Sequence, residues 1–117
     1  MTLNEFYEAV GGNYNDVLSR LGKDDRIRKY LSKFSEGNDF DVLKEKLDEE
    51  DFKEAFRIVH SIKGMCLNLG LDRLMKSSSV LCEELRNGEP VIDITQMLAD
   101  VEADYIEALE MIKTLDQ

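Results

Sequence analysis

The chain has 117 residues, 43% of them hydrophobic and 34% charged, with a formal net charge of −10. That length fits one domain around one core, and apolar runs of only a few residues exclude a bilayer-spanning segment. So acidic a surface repels DNA, RNA and anionic lipid, which excludes nucleic-acid and membrane binding as primary functions.

Apolar residues recur at three- and four-residue spacing almost throughout, without sustained β-type alternation. The opening MTLNEFYEAV carries glutamates where a signal peptide needs a basic region and an apolar stretch, so a cytoplasmic chain is expected. Leu3, Phe6, Tyr7 and Val10 form a short first helix, with Thr2 and Glu5 spaced as a capping box and Gly11-Gly12 ending it. Val17, Leu18 and Leu21 give a second, closed by Gly22. Ile27, Tyr30, Leu31 and Phe34 make a third stripe that ends near Gly37. Phe40, Leu43 and Leu47 make a fourth, with Asn38 or Asp39 as its cap. The fifth helix starts at Asp51 and runs to about Leu69, with Phe52, Ala55, Phe56, Val59, Ile62, Cys66 and Leu69 facing the core and Gly70 as its stop. Leu71, Leu74, Ser78, Leu81 and Leu85 form the sixth stripe, ended near Asn87-Gly88 with Pro90 beyond. Ile94, Met97, Val101, Tyr105, Ala108, Ile112 and Leu115 form the last.

Short connections pack consecutive helices antiparallel, so the expected fold is all-α. It is an up-and-down antiparallel four-helix bundle over residues 24–117, preceded by short extra helices over residues 1–22. Cys66 and Cys82 form no Cys-x-x-Cys pair and read as two reduced, largely buried thiols. A carboxylate–histidine metal site is excluded, because Arg57 stands where a Glu-x-x-His pair needs its glutamate and no core stripe contains Asp or Glu. The clusters at 48–51 and 102–110 read as solvated faces. Ser77, Ser78 and Ser79 have no second histidine to activate them, and Ser78 reads as a small residue that lets two helices approach.

Six of the seven glycines stand at breaks, and Gly64 does not. Inside a helix a glycine costs about 1 kcal/mol against alanine, and its bare backbone admits close approach by another atom. His60, the only histidine, lies one turn before it, with Lys63 on the same side. His60 turns about 100° from Val59 at the core stripe, toward the rim, and Lys63 has a stem long enough to snorkel. A histidine with an unperturbed pKa of about 6.5 is largely an uncharged nucleophile near neutral pH. Attack on phosphorus would give a phosphoramidate, whose added negative charge a nearby lysine offsets.

The segment AFRIVHSIKGMCLNLG, residues 55–70, resembles the signature of histidine phosphotransfer (HPt) domains: His-x-x-Lys-Gly with a further glycine six residues on, here His60, Lys63, Gly64 and Gly70. DVLSRLG, Asp51-Phe52 and LDRL extend the likeness over most of the chain. The resemblance implies a phosphocarrier in a two-component phosphorelay, phosphorylated on Nε2 of His60. Lys63 would steady the phosphoryl group, Gly64 would make room for it, and Leu67 would belong to the docking surface. It also implies a polar side chain from the next helix facing the imidazole. Ser79 or Cys82 are the counterparts, with Arg86 farther along, and all three are assigned to partner docking; Cys82 departs from the expected glutamine or glutamate. SEGNDF breaks what is often one longer helix in the family. The implied partners are response-regulator receiver domains, which exchange phosphate through an aspartate and Mg²⁺, and a hybrid or other sensor histidine kinase. The chain itself is expected to be a monomer without a cofactor and not an enzyme, since it has no glycine-rich nucleotide loop and no acidic metal cluster. The alternative is an interaction scaffold that keeps the bundle and carries no phosphate, for which a mid-helix glycine has no use.

Overall fold

Capping chemistry and glycine stops divide the chain as the sequence spacing requires. In the computed structural model, which describes residues 1–115, they give seven helices among the described residues. These are α1 (Leu3–Val10), α2 (Tyr14–Leu21), α3 (Asp24–Glu36), α4 (Asp39–Asp48), α5 (Phe52–Leu69), α6 (Asp72–Leu85) and α7 (Thr95–Leu115). The fold is all-α; residues 116 and 117 of the expected bundle range lie outside the described residues. At α1 both halves of the capping box form, Thr2 Oγ1 accepting from the Glu5 N–H and Glu5 Oε1 accepting from the Thr2 N–H. Asn38 occupies the cap position of α4 without a side-chain hydrogen bond.

Gly37 takes an extended conformation, φ −76° and ψ 165°, and splits one column of helix into α3 and α4. Both parts lie along α7 and run against it. Arg28 donates to the Leu115 carbonyl at 3.3 Å, Phe34 and Phe40 pack on Tyr105 with centroids 5.5 and 5.6 Å away, and Lys44 pairs with Glu102 at 3.5 Å. Rising numbers on α3 and α4 therefore meet falling numbers on α7. The α4–α5 and α5–α6 connections are short, and α5 packs most extensively on α6 and α4. Arg73 at the start of α6 pairs with Glu107 in the second half of α7, at 2.9 Å.

The α1–α2 pair caps the end of the bundle where α5 stops. Tyr7 donates its hydroxyl to the Leu69 carbonyl at 2.6 Å, and Arg73 reaches the Ala9 carbonyl. Gly70 takes φ +73°, and a Cβ there would collide with Val17 and stand 3.2 Å from Tyr7 Cε1. Glycine at this position therefore meets both the left-handed backbone and the tight junction with α1–α2.

The expected stripes supply most of the core, while Leu18, Leu47, Ile94 and Met97 pack at its edge, only partly buried. Tyr30, placed in the third stripe, is exposed at 39%, because it turns about 100° from Leu31 and leaves the buried set of Ile27, Leu31 and Phe34. Phe52 and Phe56 are only partly buried, so the α5 core narrows to Ala55, Val59, Ile62, Cys66 and Leu69. Ser78 is fully buried and its hydroxyl has no hydrogen-bond partner. Cys66 and Cys82 are free and buried. Burial pushes the Cys66 thiol up to about 12. Among the described residues no helix is long and apolar enough to cross a membrane.

Candidate functional site

The helix that carries His60 is fixed at both ends. Asp51 accepts from the Glu54 N–H at 3.3 Å, and Gly70 closes the C-terminus in the left-handed conformation. The buried residues 55, 59, 62, 66 and 69 centre the core stripe between Val59 and Ile62. That places His60 farther from the core than a stripe centred on Val59 would, and its ring is exposed. Gly64 is exposed one turn on, and a Cβ added to it would meet no heavy atom within 4 Å. Open space, and no packed neighbour, stands over this glycine.

The surroundings of the imidazole come from α5 itself and from α6. Phe56, one turn before His60, places its ring 5.6 Å from the imidazole, centroid to centroid, with a 42° tilt. Arg86 at the end of α6 sets its guanidinium 5.4 Å from the Phe56 centroid, within cation–π range. The same guanidinium holds Glu83 through two contacts, 3.2 and 2.6 Å. The hydrogen bond from Arg86 keeps the Glu83 carboxyl below its ordinary range, and the bond to Glu83 raises the Arg86 guanidinium.

Lys63 is partly buried and makes no ion pair among the described residues. Its positive charge helps to lower the Cys82 thiol and the Glu83 carboxyl, both on α6. Arg57, by contrast, is paired with Glu54 at 3.0 Å. Leu67, another turn along the same flank, is 51% exposed. The carbonyl under it, together with that of Asn68, accepts from Arg20 of α2 at 3.1–3.4 Å. Two open carbonyls of the last turn of α5 are thus satisfied by a cation, as the negative end of a helix favours, and the Leu69 carbonyl by the Tyr7 hydroxyl.

The structure brings His60, Lys63, Gly64 and Leu67 onto one flank of α5, with Arg86 beside it on α6. Ser79 is partly buried on α6. Cys82 does not belong to the surface: it is fully buried, one turn after the buried Ser78, and cannot touch a docked partner. Burial raises its thiol, against the pull of the Lys63 and Arg86 charges. Neither Ser79 nor Cys82, nor any other described side chain, hydrogen-bonds the His60 ring; the side-chain bonds made from α5 and α6 lie elsewhere. Periodicity assigns Phe56 to the core stripe, yet its four-residue spacing from His60 carries the signal for a ring contact. Arg20 gave no signal, since its partners stand 47 and 48 positions away. Among the described residues no group of three or more His, Cys, Asp or Glu side chains is placed to hold a metal ion.

A helical bundle that presents one solvent-facing histidine mid-helix, beside a lysine and an open glycine, belongs to the class of histidine-bearing bundle proteins. The family model of the Hpt domain matches residues 35–117, well over half of the chain. The chain belongs to the Hpt domain family, whose general role is phosphotransfer in phosphorelays; such domains carry phosphate and are not enzymes in the usual sense. The match begins at the end of α3, so α1 and α2 lie ahead of it. No curated protein and no solved structure matched the chain.

Proposed function

We propose that this protein is a phosphocarrier that accepts a phosphoryl group on His60 from the aspartyl phosphate of a receiver domain and returns it to another. The observation that carries this reading is the single exposed imidazole on α5 with open space over Gly64 one turn away. A neutral ring nitrogen, Nε2 by the family resemblance, attacks phosphorus with its lone pair. The N–P bond forms, the P–O bond to the aspartate breaks, and the carboxylate leaves with the electron pair. The ring keeps its proton on the other nitrogen until solvent takes it. Return transfer reverses these steps.

Lys63 supplies positive charge beside the new phosphate. At ~4 Å two unit charges attract by about 4 kcal/mol at an effective dielectric near 20, and exposure to water lowers this considerably. That help matters on a chain of net charge −10. Gly64 leaves the approach open, and Leu67 with Arg86 flanks it as docking surface. Catalytic power, including the Mg²⁺, sits in the receiver partner, and a hybrid or other sensor histidine kinase stands upstream. In this role the chain acts as one cytoplasmic, monomeric domain in which residues 1–22 cap the bundle.

The test is incubation with several phosphorylated receivers, comparing the wild type with His60→Gln. Acid-labile label on the wild type that is missing from the variant is expected. No label from any receiver would favour a scaffold that carries no phosphate.

A further inference from the structure

An exposed histidine on a helix has freedom that a phosphoryl acceptor does not benefit from. About two χ1 wells are open to it in a helix, and the ring can present either edge in each. Hydrogen bonding does not remove this freedom here: no described side chain bonds the ring, and of the two α6 residues expected to do so, Ser79 is partly buried without reaching it and Cys82 is fully buried. What touches the imidazole is Phe56, at 5.6 Å and 42°. Side chains on a helix lean toward its N-terminus, so the His60 ring leans back over the turn that carries Phe56 and away from Gly64. Phe56 is itself restrained, being partly buried and covered at 5.4 Å by the Arg86 guanidinium, which Glu83 grips in turn.

We infer that Phe56 is a positioning residue for His60: its ring, weighted by Arg86, holds the imidazole in one orientation, in the role a hydrogen bond from α6 would otherwise fill. The inference rests on the phosphocarrier reading for its consequence in transfer, and its structural part stands independently of phosphate. Releasing the ring spreads it over about four orientations, two χ1 wells times two ring edges, of which one attacks. The competent fraction, and the transfer rate with it, then falls about fourfold.

Because His60 is the only histidine, NMR of the full chain labelled at histidine reads it without ambiguity. The wild type is expected to show χ1 couplings of a single rotamer and ring protons displaced by the Phe56 ring current. Phe56→Leu should give averaged couplings, lose that displacement and transfer phosphate about fourfold more slowly, with helix content unchanged. Phe56→Tyr should restore all three. Arg86→Gln, which leaves both rings in place, should loosen the couplings partway and provides the reading if Phe56→Leu fails to fold. Averaged couplings in the wild type, or couplings unmoved by both Phe56→Leu and Arg86→Gln, would overturn the inference. Intact positioning in a chain that no receiver labels would instead count against the phosphocarrier reading alone.

Discussion

Gly64 allows stability and function to be set against each other at one position. A Cβ there meets nothing within 4 Å, so Gly64→Ala introduces no clash and gains the helix propensity that glycine lacks. The expected gain is about 0.8–1 kcal/mol, or a rise of about 4 °C in Tm for a domain of this size. Gly64→Leu shares most of that propensity gain but projects a branched side chain into the space over the flank between His60 and Leu67. Misplacing reacting atoms by 1 Å can cost up to about 100-fold in rate, and the leucine variant is expected to lose at least about tenfold. Urea unfolding of the three proteins, followed by circular dichroism, reads the first effect. Label transfer from a phosphorylated receiver reads the second. Destabilisation by alanine would mean that the open space over Gly64 is wrongly described. Wild-type transfer by the leucine variant would remove glycine's assigned role in access.

Gly70→Ala should do the reverse of Gly64→Ala. Its Cβ meets Val17 and Tyr7 at a backbone φ of +73°, and the left-handed conformation alone costs about 1–2 kcal/mol, so a clear drop in the urea midpoint is expected. Ser78→Ala removes a buried hydroxyl without a partner and should be neutral or stabilising by up to about 1 kcal/mol in the same assay. Lys63→Ala should leave helix content unchanged while phosphohistidine forms more slowly or decays faster, followed as loss of label over time. Cys66, raised to about 12 by burial, keeps its proton in the fold after an exposed thiol near 9 has lost it. Stability should therefore fall as pH climbs between those values, and alkylation at pH 8 should reach Cys66 only on unfolding.

How much of this was readable from the amino acids alone depends on the range of the interaction. Helix ends were legible because they are local: Thr2 with Glu5, Asp51 with Glu54, and Gly70 each act within a turn. The rim position of His60 and the odd placement of Gly64 followed from the same helical geometry, and both keep their place in the structure. Stripe edges were less legible. Tyr30 and Phe56 sit one step off the buried line, and periodicity alone does not say how wide a neighbour will make that line. The rotation of α6 decided Cys82: with Ser78 and Leu85 buried on the same face, residue 82 turns inward as well. Contacts across long separations gave no local trace. Tyr7 and Arg20 complete the last turn of α5 from 62 and 47 or 48 residues away, and only the packed fold brings them there.

Mass spectrometry under neutral conditions offers the most direct test of phosphate acceptance by His60. The chain is incubated with a phosphorylated receiver and digested with trypsin; the fragment Ile58–Lys63 then contains His60 and, as its other hydroxyl or imidazole residue, Ser61. A phosphocarrier of the kind proposed will show one added phosphoryl group on this fragment, fragmenting to the histidine and lost after brief acid treatment. Phosphate on Ser61, phosphate elsewhere in the chain, or label that survives in His60→Gln would contradict it.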